Sequence, residues 1–252
     1  MRAIILAGGK GTRLAPYTTV FPKPLMPVGE MPILEIVVRQ LRHFGIDKIT
    51  LAVGHLGELI MAYFGDGSRH GVQIDYSREE QPLGTAGPLS LIEKLDDTFL
   101  VMNGDLLTTM DFGALLARHK ESSALATISA YEYQTKIDLG ILEIDGNNRI
   151  TGYLEKPTYT NRVSMGIYAF EPKVLKFVTK DVRLDLPELI LRMVKAEENV
   201  RASVFDGFWL DIGRPADYVY VTERSAELLP MLLHQVSFSR DALRTDRGPT
   251  GY

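Results

Sequence analysis

The chain has 252 residues, 45% of them hydrophobic and 24% charged, enough for one large α/β domain or two small ones. Its net charge of −4 argues against broad electrostatic binding to nucleic acid, and the absence of cysteine excludes disulfides and thiolate metal sites. No apolar run reaches the roughly 18 residues of a membrane span and no secretory pattern opens the chain, so the expected setting is the cytoplasm.

Residues 2–6 are a short apolar run that predicts a buried strand. The run breaks at Ala7 into Gly8-Gly9-Lys10-Gly11-Thr12-Arg13-Leu14. Glycines let backbone N–H groups approach phosphate closely, and Lys10 and Arg13 add positive charge to the same loop. It is not a Walker loop, which needs G-x-x-x-x-G-K-[ST]. Nor is it a Rossmann fingerprint, whose third glycine is replaced here by Leu14. The alternative is a plain glycine turn. Next comes Pro22-Lys23-Pro24, where prolines stiffen the backbone around one ammonium. Lys23 is either a solvated surface lysine or a cation held beside the glycine loop.

Helical spacing over 33–44 stops at Gly45, a strand is predicted over 48–53, and a helix over 56–64 ends at Gly65-Asp66-Gly67. A strand over 72–76, a helix over 85–95 and a buried strand over 99–102 follow, and then Asp111 as N-cap of a helix to Lys120. This order implies a mostly parallel sheet with helices on both faces and a ligand beyond the carboxyl ends of the strands. Gly8 and Asp105 both follow strand ends and are expected to line one site. Asp105, in Asn103-Gly104-Asp105, is placed to hold Mg²⁺ beside phosphates, or else forms an ordinary Asx turn. Leu83-Gly84-Thr85-Ala86-Gly87, with Gln81 before it, offers a flat backbone and an amide for a nucleobase, or simple helix packing.

The second half is richer in strand: 124–131, 140–144 and 149–154 around the turn Asp145-Gly146-Asn147-Asn148, then 163–170. Asp185, Pro187 and Glu188 signal a helix start before 189–195. Strands over 200–205 and 208–211 and a helix over 215–229 complete the ordered pattern. Asp211 offers a second strand-end carboxylate, or a cap for that last helix. Glu155-Lys156-Pro157 ends a strand and brings a carboxylate and an ammonium together, as a ligand pair or a surface ion pair. Gly166 lies in a strand where a sugar could approach. The expected organisation is one α/β unit over 1–235, with a substrate-binding second half after about 120, and a tail over 236–252. No metal-ligand spacing of histidines and no Ser-His-Asp arrangement is present.

Seven stretches in order, LAGGKGTRL (6–14), PKPLMPVG (22–29), LGTAGPL (83–89), NGD (103–105), EKP (155–157), MGIY (165–168) and WLDIG (209–213), resemble the sugar-1-phosphate nucleotidylyltransferases. The resemblance covers residues 1 to about 225, and it implies a nucleotide-binding half to about 120 and a sugar-phosphate-binding half over about 121–235. It implies a Rossmann-like α/β core of the nucleotide-diphospho-sugar transferase type, a mostly parallel mixed sheet flanked by helices. It also implies Mg²⁺ as cofactor and a nucleoside triphosphate and a sugar 1-phosphate as substrates. Arg13 and Lys23 would be catalytic, stabilising charge at the phosphates. Leu6, Ala7, Gly8, Gly9, Gly11, Thr12, Gln81, Gly84, Thr85, Ala86 and Gly87 would bind the nucleotide. Asn103, Gly104, Gly140, Glu155, Lys156 and Gly166 would bind the sugar phosphate, and Asp105 and Asp211 the metal.

The LGTAGPL form resembles guanylyltransferases acting on mannose- or heptose-type phosphates, which often carry Glu before it, where this chain has Gln81. Thymidylyl or uridylyl transfer to glucose 1-phosphate is the alternative, since Gln suits a base presenting both donor and acceptors. Ser164-Met165-Gly166 stands where the family often has Asn-Ala-Gly, so the sugar stays open, as does assembly into a homo-oligomer. A non-catalytic subunit that binds nucleotide sugar would be favoured by loss of Arg13, Lys23 or an aspartate, and all are present.

Overall fold

The computed structural model describes residues 1–79 and 81–233. Strand β1 (Arg2–Ala7) alternates: Ala3, Ile5 and Ala7 enter one apolar cluster and Ile4 another, so both faces are buried. The short strands β2 (Pro27–Val28) and β3 (Met31–Pro32) pair as a hairpin and lead into α1 (Ile33–His43). That helix buries Leu34, Val37, Val38 and Leu41 under the sheet while Arg39 and Arg42 stay exposed. Then follow β4 (Lys48–Val53), α2 (Gly57–Phe64), β5 (Gln73–Arg78), β6 (Phe99–Asn103), β7 (Leu106–Thr108) and α3 (Phe112–Glu121). Asp111 caps α3 as expected, accepting from the Ala114 N–H at 2.8 Å.

The later elements are β8 (Ala126–Lys136), β9 (Ile141–Ile144), β10 (Ile150–Leu154), β11 (Thr158–Phe170), α4 (Leu186–Lys195), β12 (Val200–Phe205), β13 (Trp209–Asp211), α5 (Pro215–Glu223) and α6 (Ser225–Leu232). One seven-stranded sheet runs in the order β12-β8-β11-β6-β1-β4-β5. Only β11 is reversed, pairing antiparallel with β6 and β8, while β1 pairs parallel with β4 and β6. The expected mostly parallel α/β architecture is the one found. A third apolar cluster, with Leu14, Val28, Ile36, Ile212, Val221 and Leu228, packs α5 and α6 against the segment after the glycine loop.

Four local expectations are corrected. The helix expected over 85–95 is only a 3-10 turn at Gly87–Leu91, ended by the extended backbone of Ile92. The helix expected over 215–229 is broken at Arg224 into α5 and α6. Strands β8 and β11 run well past their apolar stretches, because their polar outer halves pair with each other from Thr158↔Lys136 to Ser164↔Ala130. The β2–β3 hairpin and β7 carry too few residues for any periodicity to show. The tail expected over 236–252 lies outside the described residues.

Candidate active site

The glycine loop begins where β1 ends, at the carboxyl edge of the sheet. A Cβ on Gly8 would sit 2.9 Å from Glu79 Oε1 and 3.2 Å from Gly54 N, so only glycine lets the loops after β1, β4 and β5 meet. Space opposite Gly9 is open. Thr18 Oγ1 donates to Gly11 O at 2.8 Å and closes the loop's far side. The Arg13 guanidinium lies against Gly213, where a Cβ would be 3.2 Å from Nη1. Arg13 is thereby held beside the strand that carries Asp211.

Lys23 sits in a 3-10 turn, Lys23–Leu25, flanked by prolines, and is only 7% exposed. Its ammonium donates to Asp105 Oδ2 and lies 3.9 Å from Asp211 Oδ1. The two aspartates are neighbours because β13 pairs antiparallel with β7, register Asp211↔Leu106. Burial and the charge of Asp105 push the Asp211 carboxyl above the usual range, with Lys23 and Arg13 pulling the other way. Asp105 Oδ1 is buried and has no hydrogen-bond partner among the described residues. An orphaned carboxylate oxygen beside a second carboxylate is the donor set that Mg²⁺ accepts, since that ion takes one or two carboxylates and completes its shell with phosphate oxygens and water.

The glycine loop, Lys23 and Asp105 open onto a cavity of about 780 Å³ lined by Leu6 to Leu14, Lys23, Gln81, Gly84, Thr85, Asn103 and Asp105, among others, with Asp211 outside that lining. Gly8 and Asp105 do share one site. Ala86 and Gly87 do not line it: both are buried, and their N–H groups bond Leu184 O at 2.8 and 3.0 Å. Both were expected to bind the nucleotide, Gly87 at its base; in the structure they stand behind the cavity wall. Gly104 N–H is spent on Leu6 O at 2.9 Å. Gly166 lies next to Asn103, where a Cβ would be 2.6 Å from Nδ2. Gly140 sits under the Tyr153 ring, Glu155 accepts from Tyr153 Oη at 3.1 Å, and Lys156 adopts φ +44° in the turn after β10. None of these last three reaches the cavity wall.

Sequence reasoning missed Gly54, His55, Arg78 and Glu79, which also line the cavity. Glu79 is the most telling. It follows β5 directly, and its Oε2 accepts from Leu83 N at 2.9 Å while Oε1 faces the glycine loop. Gln81 is exposed at the rim. The rule that ligands meet residues just past parallel strands applied to β5 as much as to β1 and β6.

A nucleotidyl transferase family model matches residues 2–227. A UTP–glucose-1-phosphate uridylyltransferase of Synechocystis is 37% identical over 238 residues, covering 86% of this chain and 61% of that protein. A mannose-1-phosphate guanyltransferase of Yarrowia lipolytica is 35% identical over 228 residues, covering 87% and 62%. This chain thus spans about three-fifths of those relatives' length. Among solved structures, HddC from Yersinia pseudotuberculosis complexed with GMP-PN superposes with a TM-score of 0.67 at 25% identity, covering 88% of this chain and 98% of that one. Among the described residues no helix is long and apolar enough to cross a membrane.

Proposed function

The chain belongs to the nucleotidyl transferase family, and from that premise we propose that it transfers a nucleoside monophosphate from a nucleoside triphosphate to a sugar 1-phosphate. The observation that carries this reading is the Lys23–Asp105–Asp211 cluster beside a glycine-loop cavity whose wall includes Lys23 and Asp105. A buried ammonium between two half-buried carboxylates, one with an orphaned buried oxygen, is an arrangement that an ionic ligand would complete.

The chemistry follows from charge. An oxygen of the sugar phosphate forms a bond to the α-phosphorus, the bond from that phosphorus to the bridging oxygen breaks, and pyrophosphate leaves. The nucleophile is already ionised at neutral pH, so no general base is needed. The protein's task is to hold two anions in line and neutralise them. The N–H groups of Gly8 to Gly11 cradle the triphosphate, Arg13 holds the leaving pyrophosphate, and Lys23 neutralises charge at the α-phosphate. Asp105 and Asp211 would hold Mg²⁺, which when bound withdraws further charge from the phosphates. Asn103 lines the near wall for the sugar with Gly166 packed against it, and Glu155 and Lys156, which stand off the wall in the turn before β11, would meet the sugar phosphate. Such charged substrates fit a cytoplasmic setting.

The base is guanine in this reading, and Glu79 rather than Gln81 reads it. A carboxylate accepts from guanine N1–H and N2–H₂ together, and its oxygens have acceptor capacity beyond the Leu83 N–H. The acceptor sugar is a mannose- or heptose-type 1-phosphate. The test is a matrix of five nucleoside triphosphates against hexose and heptose 1-phosphates, read as Mg²⁺-dependent pyrophosphate release. GTP with a mannose-type phosphate is expected to lead, and Glu79→Gln to lower the GTP-to-UTP ratio of kcat/KM on the order of 10-fold. No product from any pair overturns the reaction; an unchanged ratio removes Glu79 from base recognition.

A further inference from the structure

The wall of the cavity between residues 81 and 85 is held from outside the nucleotide-binding half. Leu184 N donates to Leu83 O at 2.9 Å, and Leu184 O accepts from Ala86 N and Gly87 N. Beyond it, Asp185 is the N-cap of α4, yet its side chain makes no bond to its own helix. Its Oδ1 accepts instead from Thr85 N at 3.0 Å and from Thr85 Oγ1 at 3.4 Å. Thr85 Oγ1 in turn accepts from the first N–H of α4, Leu186, at 2.7 Å. Each segment caps the other, across 100 residues of chain. Gly84 fits this clasp because its φ is +78° and a Cβ would lie 2.6 Å from Asp185 Oδ1. Besides the Leu184 bonds, Leu83 N ties the loop to Glu79. Helix α4 itself is anchored, with Leu186, Leu189 and Met193 in the core.

We propose that Asp185 is a positioning residue for the nucleotide. From the sugar-phosphate-binding half it fixes the wall formed by Gln81, Pro82, Gly84 and Thr85, and through Leu83 it fixes Glu79. The proposal rests on the triphosphate reading above. Asp185 touches no substrate; it sets where the base can lie. The observation that separates it from a purely structural ion is that its acceptor oxygen serves the cavity loop and not its own helix, whose first N–H is served by Thr85.

The experiment compares Mg²⁺–GTP binding by calorimetry for the wild-type chain, Asp185→Ala and Asp185→Asn, together with the KM of each substrate. Asp185→Ala is expected to weaken GTP binding about 10-fold and raise the GTP KM alike, with the sugar 1-phosphate KM unchanged. Asp185→Asn keeps an acceptor oxygen for the Thr85 N–H and is expected to stay within about 3-fold of wild type. Should Asp185→Ala fail to fold, Asp185→Ser carries the same test: serine is a good N-cap for α4 but too short to reach Thr85. A lower Tm with GTP affinity unchanged overturns the positioning role. Absence of binding of every one of the five nucleoside triphosphates by the wild-type chain overturns the triphosphate reading itself, while equal binding by wild type and Asp185→Ala overturns only the role of Asp185.

Discussion

Lys23 is the side chain whose loss the site tolerates least. It is the cation between Asp105 and Asp211, and removing it leaves two half-buried carboxylates facing each other. Solvent still reaches both, so the cost falls below the roughly 3 kcal/mol of breaking a fully buried pair. Lys23→Met is therefore expected to lower Tm and to cut kcat by at least about 100-fold. Added Mg²⁺ should recover part of the Tm and none of the rate. Thermal melts with and without the ion check this, and a rate near wild type would detach Lys23 from the chemistry. Lys156 is the opposite case, exposed and off the cavity wall. In the proposed reading it meets the sugar phosphate, so Lys156→Ala should raise the sugar 1-phosphate KM with triphosphate binding intact. A lost charge-assisted contact is worth about 1.5–3 kcal/mol, or roughly 10- to 150-fold in kcat/KM. Unchanged kinetics would leave it a solvated turn residue.

Elements carry a second kind of consequence. Helix α3 packs its His119 against β8 and the end of β11, far from the cavity. Nδ1 lies 2.7 Å from Thr127 Oγ1 and Nε2 lies 3.2 Å from Glu171 Oε1, which also accepts from Thr98 Oγ1 at 2.6 Å. Burial holds the imidazole below its ordinary range, more than Glu171 raises it. The unfolded chain therefore takes up this proton first as pH falls. The stabilisation from a neutral His119 is full above about pH 6.5 and is lost as pH drops from there through the lower folded value. Urea unfolding at pH 7.5 and 5.5 should show this loss, and His119→Asn should flatten the dependence. An equal slope in both chains would mean that His119 is not the group responsible.

At the scale of the whole molecule, the seven-stranded sheet joins the two halves without a seam: β6 from the nucleotide side is hydrogen-bonded to β11 from the sugar side. We propose that residues 1–235 unfold as one unit. Calorimetry should give a single transition, and two resolved transitions would separate the halves. A ligand that bridges both halves stabilises that unit as a whole. At 100 times its dissociation constant, Mg²⁺–triphosphate should add about 2.7 kcal/mol, on the order of 5–10 °C for a chain of this size. No shift with any triphosphate would argue against the cavity as a nucleotide site.

Much of this was legible in the chain itself. The apolar run of β1, the helical period of α1 and the alternation of strand and helix predicted the parallel sheet, because local periodicity follows from which face each element buries. The glycine loop, Lys23 and the strand-end aspartates also stood out, since chemistry at the carboxyl edge of such a sheet draws on residues just past strand ends. What the sequence could not state is who meets whom over long separations. That Lys23 bonds Asp105, that Glu79 rather than Gln81 faces the glycine loop, and that Ala86 and Gly87 spend their N–H groups on Leu184 are facts of docking. The spacing over 85–95 favours a helix, yet only Gly87–Leu91 winds, as a 3-10 turn, in a segment whose start is pinned to Leu184, nearly 100 residues away. Local propensity is worth a few tenths of a kcal/mol per residue, and a set of tertiary hydrogen bonds worth about 1 kcal/mol each outweighs it.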